Sequence, residues 1–258
     1  MLTVLRKYRI NINNLNIHSN KPAENMSITF PDIMTTIRQR QARRLKTIDG
    51  SEPLPEHSPE MLYIGCVDAR LDPVKDIGIP QGKALIYRNI GALVPPHGNG
   101  TPNPEAISVG AVLEFFLKEI KAKDGKTKHI VISGHTCCGG VAHACQHQND
   151  MPKQEGFLMR YLSLLTGAIS HVFGSKPDAK DDPKMRQVEH ESVRRSVANL
   201  MKYDVVKDAI AAHQVEIHGW VIDTATQRIE EMEKDKEGKF TGNFVEMSEN
   251  RQAQIGRV

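Results

Sequence analysis

The sequence predicts an α/β fold with a mostly parallel central sheet flanked by helices. Three observations carry this expectation. Short apolar runs of strand length end near Cys66, Tyr87 and Ser133. A stretch with helical periodicity, residues 104–120, falls between the second run and the third. No linker divides the 258 residues, a length that can bury one sizeable core.

Each element has its own signal. Residues 29–48 read as a helix, with Pro31 in the first turn and Ile33, Ile37 and Leu45 at helical spacing. Its other face carries Arg38, Arg40, Arg43, Arg44 and Lys46, the pattern of a solvated face or a dimer contact. A Pro-rich loop, 51–59, leads to a strand over 61–65 that ends at Cys66. Strands follow at 84–87 and 129–133, and the helix between them runs through Ala106, Val109, Val112, Leu113 and Phe116. Beyond Cys138 the chain is mostly helical, at 140–146, 157–172, 188–201 and 205–212, before a last strand at 214–223. From Lys234 onward a polar, loosely held tail is expected. Residues 1–25 have no acid before Glu24 and few Ser, and they read as a disordered extension, or an upstream start before Met26, in preference to an organelle-targeting peptide. Residues 26–258 are expected to form one catalytic domain.

Composition excludes several function classes. A net charge of +3 gives no reason to expect nucleic acid or an anionic membrane as partner. No stretch approaches the roughly 18 apolar residues of a membrane span. The four cysteines are Cys66, Cys137, Cys138 and Cys145, three of them clustered, which is not the spread of a disulfide framework. Free thiols in a reducing compartment, or metal ligands, fit better, and a cytoplasmic location is expected.

The chemistry gathers in two motifs at strand ends. One is Cys66-Val67-Asp68-Ala69-Arg70 and the other is His135-Thr136-Cys137-Cys138-Gly139-Gly140. Ligands of an open parallel sheet collect at the carboxyl ends of its strands, so both motifs point to one rim. Cys66, His135 and Cys138 together are donors that suit Zn2+, and three protein ligands plus a water make a catalytic rather than a structural arrangement. Taken singly, Cys66 would be a small buried hydrophobe and His135 a strand-end histidine. Asp68 and Arg70, two apart on an extended segment, would be a surface ion pair elsewhere. Beside zinc, Arg70 can hold the carboxylate bidentately and off the metal, leaving Asp68 to accept a hydrogen bond from bound hydroxide. If that pair breaks, Asp68 could itself close the site. Gly139 and Gly140 allow close backbone approach and open a helix whose N-terminus favours anions.

These residues resemble the β-class carbonic anhydrases, whose Cys-x-Asp-x-Arg and His-x-x-Cys-Gly-Gly motifs match Cys66, Asp68, Arg70, His135, Cys138, Gly139 and Gly140. Arg88-Asn89, the stretch Gly110 to Phe115, and His218-Gly219-Trp220 with Asp223 extend the resemblance over roughly residues 30–230. The resemblance implies reversible hydration of carbon dioxide to bicarbonate by zinc hydroxide, in a homodimer or larger homo-oligomer with the site at the dimer interface. It implies an apolar substrate pocket walled by Leu85, Ile90 and Phe115, with His57 where the family usually has a Gln that contacts bicarbonate. His57, His97 and His143 are candidate proton shuttles. An inhibitory bicarbonate site of some members would fall on Tyr63, Arg88 and Ile222, two of which differ from the family's residues, so that site is not expected. Two other readings stay open: a hydrolase of carbonyl sulfide or carbon disulfide on the same scaffold, and a non-catalytic zinc protein closed by Asp68.

Overall fold

The computed structural model describes residues 29–47, 56–98, 103–120, 126–148, 156–174 and 183–247. The expected extension, residues 1–25, lies outside them. The chain separates into two compact units, residues 1–54 and 55–258. The boundary falls in the Pro-rich segment.

The first unit contains helix α1, Phe30–Thr47. Its start is fixed by Asp32, whose carboxylate accepts from the Thr29 amide at 2.8 Å and the Thr29 hydroxyl at 2.6 Å, satisfying donors that a helix end leaves open. Ile33, Ile37 and Leu45 are exposed.

The second unit is built on a six-stranded sheet in the order β2-β1-β3-β4-β5-β6. Its strands are β1 Met61–Cys66, β2 Ala84–Asn89, β3 Lys128–His135, β4 Val215–Ile222, β5 Ile229–Lys234 and β6 Phe240–Glu246. The first four are parallel, and β4-β5 and β5-β6 are antiparallel. Strand β1 is buried from Leu62 to Cys66, as a central strand covered on both faces must be. The helices are α2 Ile107–Glu114, α3 Gly139–His147, α4 Phe157–Leu162, α5 Thr166–Phe173, α6 Lys184–Leu200 and α7 Asp204–Ala211. Leu62, Ile64, Ile130 and Ile132 pack with Leu113, Phe116, Val193 and Val197 in the main core. No helix among the described residues is long and apolar enough to cross a membrane.

Two expectations need correction. The tail from Lys234 is not loose as far as Met247, because β5 and β6 extend the sheet there. In β5 the order Ile-Glu-Glu-Met-Glu-Lys breaks the alternation of apolar and charged residues, which hides a strand that buries little more than Met232. The helix expected over 104–120 is also not uniform. It opens with a 3-10 turn at Pro104–Ala106 and ends in a π turn at Phe115–Glu119, closed by the Ile120 amide on the Phe115 carbonyl. The buried Lys128 ammonium donates to the Phe116 and Ile120 carbonyls, tying the end of that turn to the start of β3.

Candidate metal centre

Strand β1 is flanked by β2 on one side and β3 on the other. The chain therefore reverses its winding at β1, and a crevice opens between the carboxyl ends of β1 and β3, where such sheets bind ligands. Cys66 closes β1 and His135 closes β3, which runs two residues beyond the expected Ser133. Cys138 follows as the residue preceding α3. The ligand atoms of Cys66, His135 and Cys138 all lie within 4.8 Å of one another, and all three residues are buried.

The two sulfurs are 3.9 Å apart. Two thiolates on a tetrahedral zinc at the usual bond length would stand about 3.8 Å apart. His135 Nδ1 donates to the Thr136 carbonyl at 3.0 Å, which leaves its lone pair on Nε2. That Nε2 is buried and has no hydrogen-bond partner among the described residues. A buried lone pair facing two sulfurs is costly unless it binds something, and the donor set fits a zinc ion. The thiols themselves are primed for it. The Cys66 thiol is pulled down by the hydrogen bond from Cys138 and by His135, while Cys138 is pushed up by its neighbour and by burial. The pair therefore holds its first proton less tightly than its second.

Asp68 and Arg70 meet as expected, but across a turn rather than on an extended segment. The Leu71 amide bonds the Asp68 carbonyl. Arg70 Nε and Nη2 reach the two Asp68 oxygens at 2.9 and 2.7 Å, and the Arg70 amide adds a third bond at 3.0 Å. Arg70 Nη2 also bonds the Cys137 carbonyl at 2.9 Å, joining the two motifs. These bonds hold the Asp68 carboxyl down to about 2, so it stays ionised through the neutral range. Asp68 Oδ2 lies 3.8 Å from His135 Nε2, beside the triad but turned toward Arg70.

Cys137 is not part of the triad; its φ of 57° turns its carbonyl to Arg70. Cys145 is buried in α3, where burial pushes its thiol up to about 12.

Gly139 and Gly140 open α3. A Cβ on Gly140 would meet Ile90 Cγ2 at 2.6 Å, while one on Gly139 would meet nothing within 4 Å. Gly140→Ala is thus expected to destabilise the protein by about 1–3 kcal/mol in denaturant melts, because the branched Ile90 cannot swing away. Gly139→Ala should show no such packing cost.

The expected pocket walls are not all brought together. Ile90 packs with the cluster that contains Cys66 and Cys138. Leu85 packs against the main core instead, and it precedes Asn89, the register partner of Cys66, by about 13 Å of strand. Phe115 is 49% exposed, and the buried residue of its turn is Phe116. His57 is exposed. His97 rests edge-on against Tyr203 and His143 stacks on His147. An open cleft of about 660 Å³ does adjoin Ile90, lined by Pro104, Glu105, Phe157, Leu158, Arg160 and Tyr161.

Two residues at the centre were not singled out for it. Arg88 spends its donors on the carbonyls of Cys66, Asp68 and Leu71 at 2.7, 2.7 and 3.0 Å, fixing the loop that carries Asp68. Glu189 on α6 accepts from the Cys138 amide at 2.9 Å and is 3% exposed. Burial raises its carboxyl. A glutamate in an amphipathic helix reads as surface, so only the packing of α6 on the sheet shows this role. The Arg88-Asn89 pair carried a signal only through the resemblance.

A sequence profile described as "Carbonic anhydrase" matches residues 61–229. The chain is 30% identical over 162 residues to "Beta carbonic anhydrase 6, mitochondrial" of Arabidopsis thaliana, covering 63% of this chain and 52% of that one. It is 30% identical over 170 residues to "Carbonic anhydrase 1" of Escherichia coli O157:H7, covering 65% and 71%. Among solved structures, a tetrameric beta-carbonic anhydrase of Sordaria macrospora superposes with a TM-score of 0.59 at 24% identity, over 84% of this chain and 98% of that one. The matched segment spans little more than half of the Arabidopsis relative.

Proposed function

This chain belongs to the β-class carbonic anhydrase family, and from that premise we propose that it catalyses the reversible hydration of carbon dioxide to bicarbonate and a proton. Cys66, His135 and Cys138 would hold a zinc ion. The observation that carries this reading is the buried, unpartnered Nε2 of His135 facing two sulfurs, with Asp68 already engaged by Arg70.

Bound zinc would lower the pKa of water to about 7, making a nucleophile available near neutral pH. The protein's own residues do the rest. Arg70 holds both Asp68 oxygens, which would keep the carboxylate from acting as a fourth ligand. Asp68 would remain an acceptor beside the ion and orient the attacking oxygen through a hydrogen bond. Ile90 gives the crevice an apolar wall, which suits a substrate with no charge and no net dipole. The cleft on the other side of Ile90 would give the substrate its approach from solvent. Exposed Gly139 lies next to the buried triad and leaves the backbone open to bicarbonate. Leu85, Phe115 and His57, distant or exposed in a single chain, would need a second copy to complete a pocket. Exposed Phe157, Leu158, Ile107 and Phe115 support a homo-oligomer.

The test is a carbon dioxide hydration assay with metal analysis on the same sample. We expect about one zinc at the cysteine centre and turnover that rises through the neutral range. Zinc bound with no hydration across pH about 6.5–9 would overturn the reading. Carbonyl sulfide as an alternative substrate is expected to turn over far more slowly than carbon dioxide.

A further inference from the structure

The His218-Gly219-Trp220 stretch takes no part in the centre described above. His218 lies on β4, and β3 pairs with it in the register His129 to Glu216 and Val131 to His218. The side chains of His129, Glu216 and His218 converge there. Their ligand atoms lie within 4.8 Å of one another, and all three residues are half-buried. His129 and His135 are six residues apart on one strand, so this cluster is about 20 Å from the cysteines.

The geometry is that of a chelate. His129 Nδ1 and His218 Nε2 are 3.1 Å apart, which is close to the separation of two nitrogens bound side by side on one transition-metal ion. The other nitrogen of His218, Nδ1, donates to Glu231 Oε1 at 2.9 Å, and Trp220 Nε1 donates to the same oxygen at 3.2 Å. A histidine that gives one ring N–H to a buried carboxylate has its other lone pair fixed and made more basic, the arrangement that supports metal-bound histidines. The charges favour a cation too. Glu216 and Glu231 face the cluster, with Glu60 nearby, and the neighbouring ammonium is Lys234. Glu216 and Glu231 both face this one ammonium, and burial disfavours its charge.

We infer that His129, Glu216 and His218 form a second metal site, for a divalent transition ion that prefers nitrogen and oxygen donors. The half-exposed position leaves room for water to complete the coordination. Bound there, the ion would clamp β3 to β4 and, through Glu231, to β5.

The test uses full-length protein already loaded with zinc, dialysed against Ni2+, with both metals counted per chain in the same sample. The wild type should take up about one Ni2+ while keeping its zinc. His129→Gln, which leaves the His218–Glu231–Trp220 bonds in place, should lower Ni2+ affinity roughly tenfold or more, since loss of even a supporting residue costs that much. Glu216→Gln should do the same without touching either imidazole. Retained zinc in each variant shows that it is folded, and should His129→Gln lose its zinc, Glu216→Gln decides. No Ni2+ on the wild type, or equal Ni2+ affinity in a folded variant, would overturn the inference.

Discussion

Cys138→Ser is expected to lose both bound zinc and hydration activity. The substitution removes one of two thiolates and leaves a neutral hydroxyl, a poor donor for zinc at neutral pH. It also leaves His135 Nε2 facing a site that can no longer recruit a cation. Turnover should fall by at least about a thousandfold, and metal analysis should show well under one zinc per chain. Cys137→Ser and Cys145→Ser are the controls. Neither residue belongs to the triad, and Cys145 is a buried thiol inside α3, so both variants should keep zinc and most activity. Full activity in Cys138→Ser, or loss of zinc only in the Cys145 variant, would show that the ligands had been misassigned.

Asp68→Asn is expected to separate metal binding from turnover. Asp68 is not one of the three ligands, so zinc should remain. The asparagine can offer Arg70 only one oxygen, where the carboxylate offers two. It also turns part of an acceptor into a donor beside the attacking oxygen. We expect kcat to fall by roughly a hundredfold or more with the zinc content unchanged. Arg70→Ala should lower turnover for a different reason. It frees a carboxylate that lies 3.8 Å from His135 Nε2 to become a fourth ligand. Unchanged turnover in Asp68→Asn would remove Asp68 from the mechanism.

The parallel half of the sheet was legible because β1 and β3 are continuous apolar runs, which burial on both faces requires. The triad was legible because cysteines are few, four in all, and Cys66, His135 and Cys138 stood at or just beyond strand ends. The antiparallel half was not. Strands β5 and β6 each bury little; β5 is mostly charged and β6 is broken by Thr, Gly and Asn, so their pattern reads as polar tail. Phe115 and Phe116 show a second limit. The π turn inserts a residue into the helical repeat, and which of two adjacent phenylalanines is buried then depends on a break that periodicity does not reveal. Leu85 shows a third, since sequence order gives no measure of how far along a strand a residue stands from the centre. Arg88 and Glu189 act through backbone groups of residues distant in sequence, and no spacing rule could find them.

Helix α6 holds the Cys138 amide through Glu189 near one end. Further along, Ser196 and Asn199 hold the amide and carbonyl of Val94, and Tyr203 just beyond the helix bonds the carbonyl of Pro95. One rigid rod is thus fastened both to the segment that follows β3 and to the segment that follows β2. Val193 and Val197 seat that rod in the main core, so substitutions there would be felt at both segments without touching either.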